Sequence, residues 1–247
     1  MFNIIKKITL LLALSQFAIS SVIAVEYDLG MILKKADSYR GFDGEGFSIE
    51  LKLLGIEKKK KFNYSITNKV KETNSLVLFN QPALMKGRAL LQKDNNMWYF
   101  FPSTKKVIRI SAAQRLVGNA GNGDIAGIRL SEDYDSKVIK EDIIDDKEVL
   151  VIELTSNQKK KAYPKIIVSL DKKSYQLVSS EHYAISGKLM KTVQYKEYKK
   201  FDGRLLLSKM LIISDISKDD YTWLLFEKYI PEKISDNIFS KEYLERL

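Results

Sequence analysis

Few side chains in this 247-residue sequence have the type and spacing needed to break or make a bond. The single histidine, His182, lies in "SSEHYAIS", which alternates like a strand and would leave it exposed at the surface. No nucleophile-elbow motif stands ready to partner it. With one histidine and no cysteine, the common zinc ligand sets cannot be assembled. Two carboxylate pairs occur, Glu141/Asp142 and Asp145/Asp146. The second falls where a hairpin turn is expected, and acids are ordinary there. The stretch "GNAGNGDIAG" (118–127) has the glycine content of a phosphate cradle. It lacks the closing Lys-Ser or Lys-Thr and the strand-to-helix crossover, so it reads better as a flexible lid. No catalytic residue, metal or cofactor is therefore expected, and the chain reads as a binding protein rather than an enzyme.

Lys and Arg number 41 against 31 Asp and Glu, a net charge of +10. The cations gather at Lys58–Lys61, Lys159–Lys161 and, more dispersed, across Lys196–Lys200. The aromatic signature of RNA-binding sheets is missing, so nucleic acid is not the expected partner. The runs read first as solvated turns and second as transient contact with an anionic membrane surface, where each nearby lysine is worth on the order of 1 kcal/mol.

The N-terminus carries an export signal. Lysines at 6 and 7 precede the apolar stretch Ile8–Ala18, and Val22-Ile23-Ala24 supplies small residues at a cleavage spacing. The stretch is shorter than the roughly 20 residues of a spanning helix, and Ser15, Gln16, Ser20 and Ser21 dilute it. Residues 1–24 are thus expected to be cleaved after Ala24, leaving 25–247 as one periplasmic domain. With no cysteine to staple it, that domain must be stabilised by its core.

After the signal, Asp28–Arg40 has helical spacing: Leu29, Ile32, Leu33 and Ala36 share a face, and Gly41 is placed to end it. The period then changes to two. Strands are expected around 47–53, 62–67, 75–79, 87–92, 97–101 and 107–110, and again at 136–143, 148–154, 163–170, 174–183, 189–198, 204–213 and 221–230. Short Gly/Asp/Ser/Lys connectors separate them, as in an antiparallel meander. The pattern breaks over 111–134, where Ala112–Val117 and Ile128–Tyr134 read as short helical pieces around the glycine-rich loop. A 24-residue irregular insertion is long for a connector and marks a lid or binding loop. The expected architecture is mainly β: a curved antiparallel sheet with helical segments against its concave side.

Several strands are apolar on both faces, above all Met97-Trp98-Tyr99-Phe100-Phe101. Either protein covers both faces, or the sheet curls around a hollow that takes an apolar guest. Phe62, Tyr64, Leu76, Leu78, Trp98, Phe100, Ile108 and Ile110 are the candidates for lining such a cavity.

The block "SLVLFNQPALMKGRALLQKDNNMWYFFPSTKKVIRIS" (75–111) resembles the outer membrane lipoprotein-sorting protein family, relatives of the periplasmic lipoprotein carrier LolA. Phe79, Pro82, Gly87, Leu91, Trp98, Tyr99, Pro102, Arg109 and Ile110 carry the likeness, and 122–135 and 230–247 extend it. The resemblance implies a half-open β-barrel capped by helices, with a cavity for acyl chains. It implies lipoprotein or lipid acyl chains as cargo, an inner-membrane transporter or exporter complex as donor, and an outer-membrane acceptor. It also implies a functional cavity arginine, for which Arg88 and Arg109 are the candidates. The alternative function is a non-carrier periplasmic sensor or an accessory subunit of an inner-membrane exporter.

Overall fold

The computed structural model describes every residue except 1–25, 43–45, 95, 113, 157–162 and 218. The expected signal peptide and the Lys159–Lys161 run lie outside the described residues. Helix α1 (Leu29–Ser38) comes first, then strands β1 (Phe47–Glu57), β2 (Lys60–Lys71), β3 (Asn74–Gln81), β4 (Ala89–Lys93), β5 (Asn96–Phe101) and β6 (Lys106–Ile110). An irregular stretch holds β7 (Arg115–Val117), β8 (Ala120–Gly121), α2 (Asn122–Ala126) and α3 (Leu130–Asp133). The meander resumes with β9 (Asp135–Ile144), β10 (Lys147–Thr155), β11 (Lys165–Asp171), β12 (Leu177–Tyr183), β13 (Leu189–Phe201), β14 (Arg204–Ser214) and β15 (Tyr221–Pro231). Helix α4 (Lys241–Leu244) closes the chain.

Thirteen of the strands form one antiparallel sheet in the order β6-β5-β4-β3-β2-β1-β15-β14-β13-β12-β11-β10-β9. Every neighbour pair but one is a sequential hairpin. The exception is β1 beside β15, which joins the first half of the meander to the last strand. Two hydrogen bonds show how far the sheet curls. Asn68 on β2 donates to the carbonyl of Ile125, and Lys191 on β13 pairs with Asp124, so both strands reach the same short helix. Four inter-strand steps separate β2 from β13, about 19 Å in a flat sheet. The five residues of α2 span only about 7.5 Å. The sheet must bend around that helix, and α2 occupies its concave side.

Helix α1 forms where the spacing predicts. Asp28 caps it by accepting from the Met31 amide at 2.9 Å, and Ile32, Leu33 and Ala36 are buried against β10, β11 and β12. One local expectation needs correction. Arg115–Val117 is a strand rather than a helical turn, paired with β8 across a tight reversal in which Gly118 takes a φ of +54°. A side chain there would collide with Phe62 and Thr222 on the sheet below, so only glycine lets this hairpin sit so close.

The outer face of β3–β6 has its own cover. The segment after β15 folds back over it, burying Ile234, Phe239 and Leu244 against Leu76, Ala89, Leu91 and Phe100, with Trp98 and Leu78 at the margin. This answers why Met97–Phe101 is apolar throughout. Met97 and Tyr99 face the concave core, while Phe100 and Trp98 face the C-terminal segment.

Candidate functional site

The concave face is an apolar surface continuous across nine strands. Register places Ile108, Tyr99, Leu90, Val77, Asn68 and Ile49 in one row, and Phe79, Ile66, Leu51 and Phe226 in the next. Beyond β15 it continues through Leu224, Met210, Ile212 and Val193. Besides the Tyr99 hydroxyl near the edge, the polar side chain in the first of these rows is Asn68, and both its polar atoms are engaged. Its amide donates to Ile125 and its carbonyl oxygen accepts from Ser75 at 2.6 Å.

Over this face lies the segment 112–130, which fills the concavity. Val117, Ala120, Ile125 and Ala126 are buried against this face, and Ile128 and Leu130 against the neighbouring core under α1. The expected standing hollow is therefore corrected: the chain itself occupies it. Small spaces remain between segment and sheet, of about 30 Å3 at Arg40–His182 and at Arg40–Phe226 and about 50 Å3 at Asn119–Lys191. Sites for small organic ligands occupy roughly 300–1,000 Å3. A larger groove of about 260 Å3 opens beside this segment, and Phe42, Val70 and Gly127 line both it and the inner space at Phe226. Phe42 therefore stands between groove and interior. Gly127, at a φ of +105°, leaves no room for a side chain, since a Cβ there would lie 2.6 Å from the Phe42 ring.

Polar side chains fasten the segment, and we call it the plug. At one end, Asp37 of α1 accepts from the amides of Leu130 and Ser131 at 3.1 and 2.9 Å, and from the Ser131 hydroxyl at 2.9 Å. Burial raises the Asp37 carboxyl above its ordinary pKa, against the opposing pull of Arg40. Arg40 itself donates to the Ile128 carbonyl at 2.7 Å. At the other end, the Asn119 amide donates to the Thr222 hydroxyl at 2.8 Å. In the middle, Asp124 is held by Lys191 and by the Tyr163 hydroxyl, which donates at 3.1 Å. Burial disfavours charge on Asp124, but Lys191 and the other donors around it outweigh that and hold its carboxyl below the usual range.

His182 lies beneath this ion pair and is buried, not exposed as the alternation suggested. Its ring meets Tyr163 edge-on at 4.5 Å, and Nε2 shares a hydrogen bond of 2.9 Å with the Ser180 hydroxyl. Burial and the nearby Lys191 push its pKa down to about 3, so it is neutral at physiological pH. The plug is imperfectly satisfied. Both side-chain polar atoms of Asn119, Oδ1 of Asn122 and Nδ1 of His182 are buried without partners. Each such atom costs about 1–3 kcal/mol.

The structure divides the eight candidate lining residues. Phe62, Tyr64 and Ile110 pack with the concave core, and Ile108 pairs with Tyr99 on the same side of the edge strand. Leu76, Leu78, Trp98 and Phe100 lie on the opposite face, under the C-terminal segment, and are withdrawn as lining residues. Of the arginines, Arg109 also faces outward, exposed and bonded to Asn96. Arg88 stacks over Phe101, 5.6 Å from its ring centre, on the concave side near the edge. The arginine at the centre of the plug contacts is Arg40. Sequence reasoning placed it at the end of a helix and had no signal that the chain would turn it inward.

The same architecture occurs in solved structures. A LolA superfamily protein from Nitrosomonas europaea superposes with a TM-score of 0.80 at 28% identity, covering 86% of this chain and 97% of that one. The chain has the LolA-like fold. A structure described as an outer membrane lipoprotein-sorting protein domain, from Vibrio parahaemolyticus, shares the fold at a TM-score of 0.75, 23% identity and coverage of 88% and 98%. So does a DUF1329 family protein from Desulfovibrio piger, at 0.76, 19%, 87% and 97%. A family model described only as "Uncharacterized protein" matches residues 71–246. No curated protein matches the chain. Among the described residues, no helix is long and apolar enough to cross a membrane.

Proposed function

We propose that this LolA-like chain is a periplasmic carrier that shelters the acyl chains of a lipoprotein or another lipidated cargo on its way towards the outer membrane. The plug is the shut state of its binding face. One observation carries this reading. A large apolar concave surface is covered by an irregular segment fastened through side chains, while the outer face of β3–β6 is sealed by well-packed apolar contacts. A core that served only stability would not leave Asn119 and Asn122 buried with unpaired atoms at its centre.

The energetics are balanced for exchange. Burying a sixteen-carbon chain releases on the order of 12 kcal/mol. That is comparable with the burial of the plug's apolar residues together, at about 1.5–3 kcal/mol for each large side chain such as Val117 and Ile125. Unpaired plug atoms lower the cost of displacement further. Phe42 and Gly127 mark where the groove would open inward.

The test is lipid extraction and mass spectrometry of protein purified from its native periplasm, with uptake of a fluorescent fatty acid by the delipidated protein. Co-purifying acyl lipid and saturable uptake are expected. Recovery free of lipid, together with no uptake, would refute the carrier reading.

A further inference from the structure

In a meander, alternate hairpins point to opposite ends of the sheet, and here the two ends differ in chemistry. One rim carries the β1–β2, β3–β4, β5–β6, β12–β13 and β14–β15 connections. The other carries β2–β3, β4–β5, β9–β10, β11–β12 and β13–β14, whose turns include Glu72, Asp94, Asp145, Asp146 and Asp202 beside Lys172 and Lys173. On the first rim four turns carry exposed cations, Lys58 and Lys59, Lys86, Lys105 and Lys188, while the β14–β15 turn carries Asp215, Asp219 and Asp220.

Aliphatic side chains also stand exposed on this rim. Ile185, at the tip of β12–β13, is 94% exposed; Leu84, in β3–β4, is 81% exposed; Ile216, in β14–β15, is 64% exposed. They come from three separate turns, yet all three turns leave the sheet from the same end. Lys58 is tied to its neighbour across the β1–β15 junction, its amide donating to Asp220 at 2.9 Å, which sets the lysine turn beside the Ile216 turn.

The lysine turn is also a poor choice for its own backbone. Lys58 and Lys59 both adopt left-handed φ values, 49° and 66°. The β9–β10 and β13–β14 hairpins meet the same demand with Asp145-Asp146 and Asp202-Gly203, the residue types such turns favour. Placing two lysines there sacrifices turn propensity and gains only charge at the rim.

We propose that this rim docks on the surface of a bilayer containing anionic phospholipid, with Leu84, Ile185 and Ile216 entering the interface and the surrounding lysines pairing with headgroups. Basic residues interleaved with protruding aliphatics fit that surface on both counts, since charge attracts and apolar tips anchor. The occupant is a membrane because the rim's cations are spread over an arc of separate hairpins, which suits a flat, laterally mobile array of charge. The proposal stands apart from cargo binding: the plug and the concave face contribute no residue to it.

Flotation of the full mature protein with phosphatidylcholine vesicles, with and without phosphatidylglycerol, tests it. The wild type should float with the phosphatidylglycerol vesicles, stay behind with phosphatidylcholine alone, and bind more weakly as salt rises. Ile185→Asp should lower partitioning about tenfold. Lys58→Gln with Lys59→Gln should lower it about thirtyfold. All three sites are exposed, and unchanged circular dichroism would confirm that the variants fold. Fatty-acid uptake from solution should be the same in every variant, so loss of flotation and loss of carrier activity are separable. Wild type that ignores anionic vesicles, or variants that float as well as wild type, would overturn the proposal. Binding to an acidic protein in place of vesicles would overturn it too.

Discussion

Lys191 of β13 and Asp124 of α2 form an ion pair whose two side chains are each only 5% exposed. It joins the plug to the sheet at the deepest point of the concavity, and Tyr163 completes it by accepting from Lys191 at 2.7 Å. The pair is what positions α2 against β13, so the electrostatics of this single contact bear on both folding and access to the concave face.

Breaking one side of that pair strands the other charge in a buried site. Lys191→Met or Asp124→Asn alone should each destabilise the protein by about 3–5 kcal/mol. The double variant, which removes both charges, should recover a large part of the loss. Urea unfolding of the three variants measures this. Additive losses would show that the two residues are not energetically coupled.

The only histidine makes acid behaviour readable. His182 has a folded pKa of about 3 against an ordinary value of 6.5. Between those values the unfolded chain binds a proton that the folded protein refuses, so stability falls as pH drops below about 6.5. At pH 5 the loss from this group is about 2 kcal/mol. Asp37 works in the opposite direction, since its raised carboxyl favours protonation in the folded state. Comparing wild type with His182→Gln isolates the histidine, whose variant should show a flatter decline between pH 7 and pH 5. By nuclear magnetic resonance the His182 ring should remain neutral in the folded protein at pH 5. A ring titrating near 6.5 would contradict its burial.

Phe239 pins the C-terminal segment over Leu91 and Phe100. Phe239→Ala should cost about 3–5 kcal/mol, read as a lowered midpoint in urea. Fatty-acid uptake per folded molecule should be unaffected, because the outer face is core rather than binding surface. A selective loss of uptake with stability intact would return Trp98 and Phe100 to the list of lining residues.

Gly127→Ala forces a Cβ against Phe42 at a backbone conformation that side chains avoid. The expected result is a loss of about 1–3 kcal/mol in stability, from strain in the shut state. Uptake of a fluorescent fatty acid should become faster, since the strain is relieved when the plug leaves. Slower or unchanged uptake would count against displacement of the plug as the route to the concave face.

Periodicity reveals strands easily in this chain because hairpin connectors at short intervals leave little freedom in where each strand begins and ends. Thus β3, β5, β6 and β13–β15 fall within a few residues of their expected bounds. Which face each side chain takes was not legible. Leu76 and Val77 are adjacent, equally apolar and both fully buried, yet one meets the C-terminal segment and the other the concave core. An unbroken apolar run carries no period-two signal, so Leu76, Leu78, Trp98 and Phe100 were assigned to the wrong side. Arg40 and His182 failed to stand out for another reason: the plug that covers them comes from elsewhere in the chain, Ile128 against Arg40 and Asp124 near His182.

The sequence by itself determined a cysteine-free, mainly antiparallel β chain with an irregular insertion at 111–134, because alternation, turn chemistry and composition act over neighbouring residues. Only the tertiary structure decided that the insertion fills the concavity, that the chain's own C-terminus covers the outer face, and that lysines from separate hairpins share one rim. Those outcomes follow from sheet curvature and strand order, which bring together residues more than a hundred positions apart and leave no trace in any local pattern.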